Sequence, residues 1–258
     1  MTKVDPIREN FFKPYEQAEA VSGGLFCGAA VVSIGTLFLP KQAYPSVGEA
    51  LQVIALLAAI ALFALGLAIR LYLMPRAEDQ RFSDFFGRGF NVDLGGERTQ
   101  GYYNNDLHQP MQRLAAQVLE NALFSRAITR RMSHAERWRA GICVLLLIIC
   151  IAFKRSEYDL MIATTQIVLS EHILSKFIRL EWLRCKCEDA YKCAWDLLSS
   201  PPPETVFSAR VLAVIGAYEA AKANAGVLFD SKVFDALGPT LEQEWRQART
   251  RLGIAQQP

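Results

Sequence analysis

The chain has 258 residues, 52% of them hydrophobic and 21% charged, with a mean hydropathy of +0.14. That balance is too apolar for an average soluble domain and too polar for a bare membrane bundle, so it calls for membrane helices joined to solvated ones. A formal net charge of +2 excludes recruitment of a nucleic acid polymer by global charge.

Residues 1–22 mix both signs of charge: Lys3, Asp5, Arg8, Glu9, Lys13, Glu16 and Glu19. A cleaved signal peptide needs a short basic segment followed at once by its apolar core, so none is expected here. The first apolar run, residues 23–40, carries no charge and ends on Pro40. The second, residues 48–74, has no charged residue between Glu49 and Arg70. Each approaches the roughly 20 apolar residues a spanning helix requires. The short link 41–47 makes them a hairpin. Gly24 and Gly28 form a G-x-x-x-G pair, continued by Ala29 and Ser33 at small-residue spacing, which suits close helix packing.

Residues 77–105 hold Gly87, Gly89, Gly95, Gly96 and Gly101, then Tyr102-Tyr103-Asn104-Asn105, and read as a loop. No G-x-x-x-x-G-K-[ST] is present, so the glycines do not make a phosphate loop. Arg88 and Arg98, beside Tyr102 and Tyr103, could bind a nucleotide by charge and stacking; the plain alternative is a solvated loop. Residues 107–132 then read as an amphipathic helix, with Leu114, Val118, Leu119, Ala122 and Leu123 on one side and Arg113, Gln117, Glu120 and Arg130 elsewhere.

A third apolar run, residues 139–155, has its core from Ala140 to Phe153, with Arg139 and Lys154 placed to snorkel. Ser133-His134-Ala135-Glu136 reads as a capping box ahead of it. The fourth run, about 157–178, is the weakest, since Asp159, Gln166, Glu171, His172 and Lys176 interrupt it. It reads as a crossing, with an amphipathic surface helix as the alternative. On a helix Glu157, Thr164, Glu171 and Ser175 share one narrow stripe. A carboxylate at membrane depth costs several kcal/mol unless it faces water or a partner. The stripe therefore either lines a pore on a homo-oligomer axis or pairs with a neighbouring helix. The fourth helix should continue to about Leu198, where Pro201-Pro202-Pro203 ends it; residues 204–224 and 240–252 look helical, with Gly238-Pro239 as a break.

The arginines between residues 75 and 138 and the cations after residue 176 outweigh those of the two short links, so both termini and the middle segment belong in the cytoplasm. The fold expected is an all-α membrane protein of two transmembrane helical hairpins. Its parts are a cytoplasmic N-terminus (1–22), hairpin 1 (23–74), a cytoplasmic loop and amphipathic helix (75–138), hairpin 2 (139–178) and a cytoplasmic helical tail (179–258).

No catalytic set is visible: His108, His134 and His172 pair with no nucleophile in a motif. Cys185-Lys186-Cys187 and Cys193 lack metal-ligand spacing, because Cys185 and Cys187 point about 200° apart on a helix. Neither an enzyme activity, a cofactor nor a metal is expected.

The order of parts, with the segment GYYNNDLHQPMQRLAAQVLENALFSRAITRRM between two hairpins, resembles the four-transmembrane effector families of bacterial antiphage systems signalled by cyclic oligonucleotides. The resemblance is one of layout and carries over no ligand-binding residue. It implies a multi-pass protein of the bacterial inner membrane that permeabilises the bilayer when a cyclic nucleotide second messenger accumulates. The alternative is a non-enzymatic membrane scaffold or accessory subunit that recruits a cytoplasmic partner. The topology is tested by reporter fusions after residues 44, 100, 156 and 258: the fusions at 100 and 258 should report a cytoplasmic position, and an external signal at either would overturn it.

Overall fold

The computed structural model describes residues 4–38, 44–100, 107–152 and 171–254. Among these the protein is all-helical, with one isolated antiparallel β bridge between Val4 and Gln100. The helices are α1 (Lys13–Phe38), α2 (Pro45–Ala68), α3 (Met74–Phe90), α4 (Pro110–Ala152), α5 (Lys176–Ser199), α6 (Glu204–Ala225) and α7 (Ser231–Arg251). Three π-helical turns, Arg8–Phe12, Ile69–Leu73 and Glu171–Ser175, lead into α1, α3 and α5. The chain divides into two compact units. One takes Met1–Asn10, Ala77–His134 and Arg179–Pro258, the other Phe11–Arg76 and Ala135–Ile178.

The first unit has a core of its own. Leu114 to Leu119 are all buried, as are Ala122, Leu123 and Ile128, and around them lie Leu183 and Cys187 of α5, Phe207, Val211 and Ile215 of α6, and Trp245 of α7. Local chemistry ends α3 and α7. Asn91, at φ 56°, stops α3: its N–H reaches the Arg88 carbonyl at 3.3 Å and that of Val92 reaches Gly87 at 2.9 Å, the paired bonds of a left-handed helix end. Gly253 closes α7 in the same way, through Thr250 and Arg249. Asp230 caps the start of α7 by accepting from the Lys232 and Val233 N–H groups at 2.8 and 3.2 Å.

In the second unit α1 packs against α2 and the turn that follows it. The helices Arg8–Thr36 and Pro45–Phe90 are each long and apolar enough to cross a membrane, and their apolar stretches are almost entirely uncovered by the described residues. On α2, Val53, Ile54, Leu56, Leu57, Ile60, Phe63 and Leu67 are between 43% and 70% exposed. Taking the part of these side chains that is still exposed out of water would be worth on the order of 6–12 kcal/mol, comparable to the ~5–15 kcal/mol that holds a whole domain folded. Such a face requires a cover.

Four expectations from the sequence need correction. Residues 77–105 are not all loop, because α3 runs to Phe90. Phe82, Phe85 and Phe86 recur at helical spacing, and Gly89 serves packing rather than a loop: a Cβ there would collide with the Leu114 side chain. Ser133 and Glu136 do not cap a new helix, since they lie inside α4 with Ser133 buried; nothing in Ala127–Met132 stops the preceding helix. The first half of α4 is central rather than amphipathic, and Gln117 is only 2% exposed. Gly238-Pro239 does not break α7. Proline cannot donate to the Asp235 carbonyl four residues back, yet burial of Leu241, Trp245 and Ala248 holds the helix through it.

Leu183→Ala should cost the first unit about 2–5 kcal/mol, because the side chain is wholly buried. Gly216→Ala should instead stabilise it by about 0.5–1 kcal/mol, since a Cβ there meets nothing within 4 Å. Thermal unfolding of the detergent-solubilised protein measures both, and a stabilising Leu183→Ala would contradict the core.

Candidate functional site

The first unit holds a part-buried charged node. Glu219 and Lys222 stand one turn apart on α6, and Glu78 comes from α3. Lys222 Nζ donates to Glu219 Oε2 at 2.9 Å and lies 3.0 Å from Glu78 Oε2. Burial pushes the Lys222 ammonium down, but the two carboxylates outweigh it and the group is held well above the ordinary lysine range. The Tyr218 ring lies 5.4 Å from Nζ, and its hydroxyl meets Ser125 Oγ of α4 at 2.6 Å. Burial raises the Tyr218 phenol, and it pushes the Cys187 thiol of α5 up to about 12. Lys222 therefore keeps its proton, and Tyr218 and Cys187 keep theirs. These groups form a locked joint between helices and offer no proton-transfer couple near neutral pH.

A second polar cluster fastens residues 91–100 to α3. The wholly buried Asp84 carboxylate accepts from Arg88 Nε at 3.1 Å, from the Thr99 N–H at 3.3 Å and from Thr99 Oγ1 at 2.6 Å. Arg98 donates to the Val92 carbonyl at 2.6 Å and lies 3.5 Å from Asp93. Gly95 and Gly96, at φ +79° and +94°, allow the reversal between them. Arg88 and Arg98 are thus brought to one loop, but both face acceptors of the protein itself. Tyr102 and Tyr103, named with them, lie outside the described residues.

In the second unit the Glu171–Ser175 turn meets α1. The His172 ring stacks on Phe26 at 4.6 Å with 4° between planes, and Nε2 is 3.1 Å from Oγ of the buried Ser22. Glu136 accepts from Arg139 at 3.2 Å and lies 3.9 Å from Lys176. Of the proposed stripe, the backbone of Glu171 and the half-buried Ser175 fall in this turn, while Glu157 and Thr164 lie outside the described residues. Gly24 and Gly28 are open: a Cβ on either meets nothing within 4 Å, so neither holds a helix contact among the described residues. Cys185 and Cys193 are exposed and Cys187 is buried. Among the described residues no group of His, Cys, Asp and Glu could hold a metal ion.

Sequence reasoning passed over the Lys222 node, the Asp84–Thr99 anchor and the Ser22–His172 contact. Glu219 and Lys222 are visible as an i,i+3 pair; nothing local announces Glu78 or Ser22. No protein-family model, curated protein or solved structure matches the chain. Its function has to be argued from its own chemistry.

Lys222→Met would leave Glu78 and Glu219 facing each other without their cation. Because both carboxylates keep some exposure, the expected loss is about 1–3 kcal/mol rather than the full cost of a broken buried pair. A raised lysine pKa contributes stability that is complete below the ordinary lysine value and is lost only as pH climbs through the raised one. The gap between wild type and Lys222→Met should therefore stay flat from about pH 6 to pH 9. Denaturant titrations at several pH values measure it, and a gap that closes within that window would reject the assignment.

Proposed function

We propose that this chain is a non-enzymatic membrane effector: a multi-pass, homo-oligomeric protein of the bacterial inner membrane, with both termini cytoplasmic, that permeabilises the bilayer on a cytoplasmic signal. The observation that carries this is the pairing of an uncovered apolar hairpin, α1 and α2, with a separately cored helical unit. Lipid is the cover that suits the exposed face of α2. The end of α4 supports further crossings, because Ile142, Leu145, Ile148 and Ile149 are between 41% and 56% exposed. The arginine bias favours the side assigned to the helical unit. A cyclic nucleotide remains the proposed messenger, on the resemblance in layout.

The contact of His172 with Ser22 and Phe26 supports a fourth helix that ends against the first. Glu171 precedes it in a π turn, a distortion that recurs at functional positions in helices. In this reading several copies bring Glu171 to a shared axis, and a ring of carboxylates favours cations.

Liposome ion flux and membrane-fraction yield test the reading together, for wild type, Glu171→Gln and Glu171→Leu. Both variants should lose cation flux at unchanged yield. Normal flux at normal yield removes Glu171 from the path, and lost yield makes it a structural partner. If wild type neither conducts nor depolarises cells when expressed beside a cyclic-nucleotide source, the scaffold reading replaces the effector.

A further inference from the structure

Seven residues ahead of α1 are fastened to the first unit at every turn. Val4 and Gln100 exchange both backbone bonds, at 3.1 and 2.8 Å. Asp5 lies 2.9 Å from Arg81 of α3, and its other oxygen accepts from the Arg8 N–H at 2.9 Å. The Arg8 guanidinium grips Asp235 of α7 with two parallel bonds, at 3.1 and 3.0 Å, and lies 6.0 Å from the Phe234 ring. Asn10 donates to Glu97 at 2.6 Å. Ile7 is wholly buried. The chain then passes through the π turn Arg8–Phe12 directly into α1, with no spacer.

We propose that residues 4–10 are a releasable strap, and that through it the state of loop 91–100 is passed along the main chain to the first apolar helix. Two features suit the segment to that task. Its anchors are mostly polar and lie near water: the side chains of Arg8 and Asp235 are 30% and 59% exposed, so solvent and salt compete for them. A segment held by one buried side chain, the part-buried Asp5–Arg81 pair and the exposed bonds of Arg8 and Asn10 belongs to the part of a protein that opens before the core does. The strap and the loop also share their fastening. Gln100, which bonds Val4, follows Thr99, which Asp84 holds. A loop that gives up Asp84 pulls on the bridge, and a strap that leaves removes the Gln100 and Glu97 partners from the loop. The coupling is reciprocal, as linkage requires. This inference goes beyond the effector reading and holds for a scaffold as well.

Hydrogen–deuterium exchange on the full chain in lipid nanodiscs tests it. Arg8→Glu sets a carboxylate against Asp235, and should raise exchange roughly three- to tenfold at residues 4–10. The same rise should appear at residues 97–100 and in the first turns of α1. Asp235→Arg should act alike, and Arg8→Glu with Asp235→Arg should return all three segments to wild-type exchange. Faster exchange confined to residues 4–10 would overturn the coupling, and unchanged exchange there would overturn the strap. The core amides of α5 and α6 report unfolding. If they too quicken in Arg8→Glu, Arg8→Gln and the double variant decide: recovery of the three segments in the double variant upholds the proposal, and failure to recover ends it.

Discussion

Leu114, Ala115, Ala116, Gln117, Val118 and Leu119 are consecutive on α4 and all are buried, so no side of the helix there can face water. A helix in that position has to be surrounded, and α3, α5, α6 and α7 supply side chains to the same core. The demand explains residues that look weak by propensity. Gly89 lets α3 come up against Leu114, where any Cβ would collide. Ala190, Ala194, Ala221 and Ala225 keep α5 and α6 thin where they enter the core. In the second unit the same apolar material is turned outward, and α2 leaves most of its Leu, Ile and Phe side chains uncovered.

Polar groups inside the first unit follow the complementary rule, that a buried charge is tolerated when it is paired. Lys222 has two carboxylates and Asp84 has three donors. Replacing such groups by apolar residues of like volume is often neutral in energy, so their stabilising value is modest. They also tie charge to arrangement: Glu78 meets Lys222 in this register of α3 against α6, and Asp84 meets Thr99 in this closure of the loop. Packing alone, among many alanines and leucines, would distinguish these poorly.

Much of this was legible in the sequence where the signal is local. The first two apolar runs, the end of α5 at Ser199 before its prolines, and the span of α6 could all be read from hydropathy and breakers. The failures share one cause. Gly87, Gly89, Gly238 and Pro239 were read as interruptions by their intrinsic cost, yet tertiary burial of Phe85 and Trp245 outweighs about 1 kcal/mol for a helical glycine. Gln117 was placed off the apolar side of its helix, when its surroundings are core. Asn91 was a missed signal: asparagine tolerates the left-handed conformation that ends a helix, and it marks the true start of the loop. Of the candidate site, Arg88 and Arg98 were grouped by proximity in sequence, but their acceptors could not be inferred without the fold that buries Asp84.

The engagement of both arginines constrains how the proposed signal would act. An anion drawn to this loop would find no free arginine claw, since Arg88 is bonded to Asp84 and Arg98 to the Val92 carbonyl. Recruiting Arg88 would mean taking it from a buried carboxylate, and Asp84 would then keep Thr99 alone among these partners. Binding and loop opening would be one event, and affinity would be reduced by the work of opening. A ligand shifts a conformational equilibrium only as far as its affinities for the two states differ. A preformed pocket with idle arginines would bind more tightly and change little. Arginines already engaged in holding a loop bind more weakly and convert what binding energy there is into movement, the kind of input that the proposed strap would pass to the apolar helix.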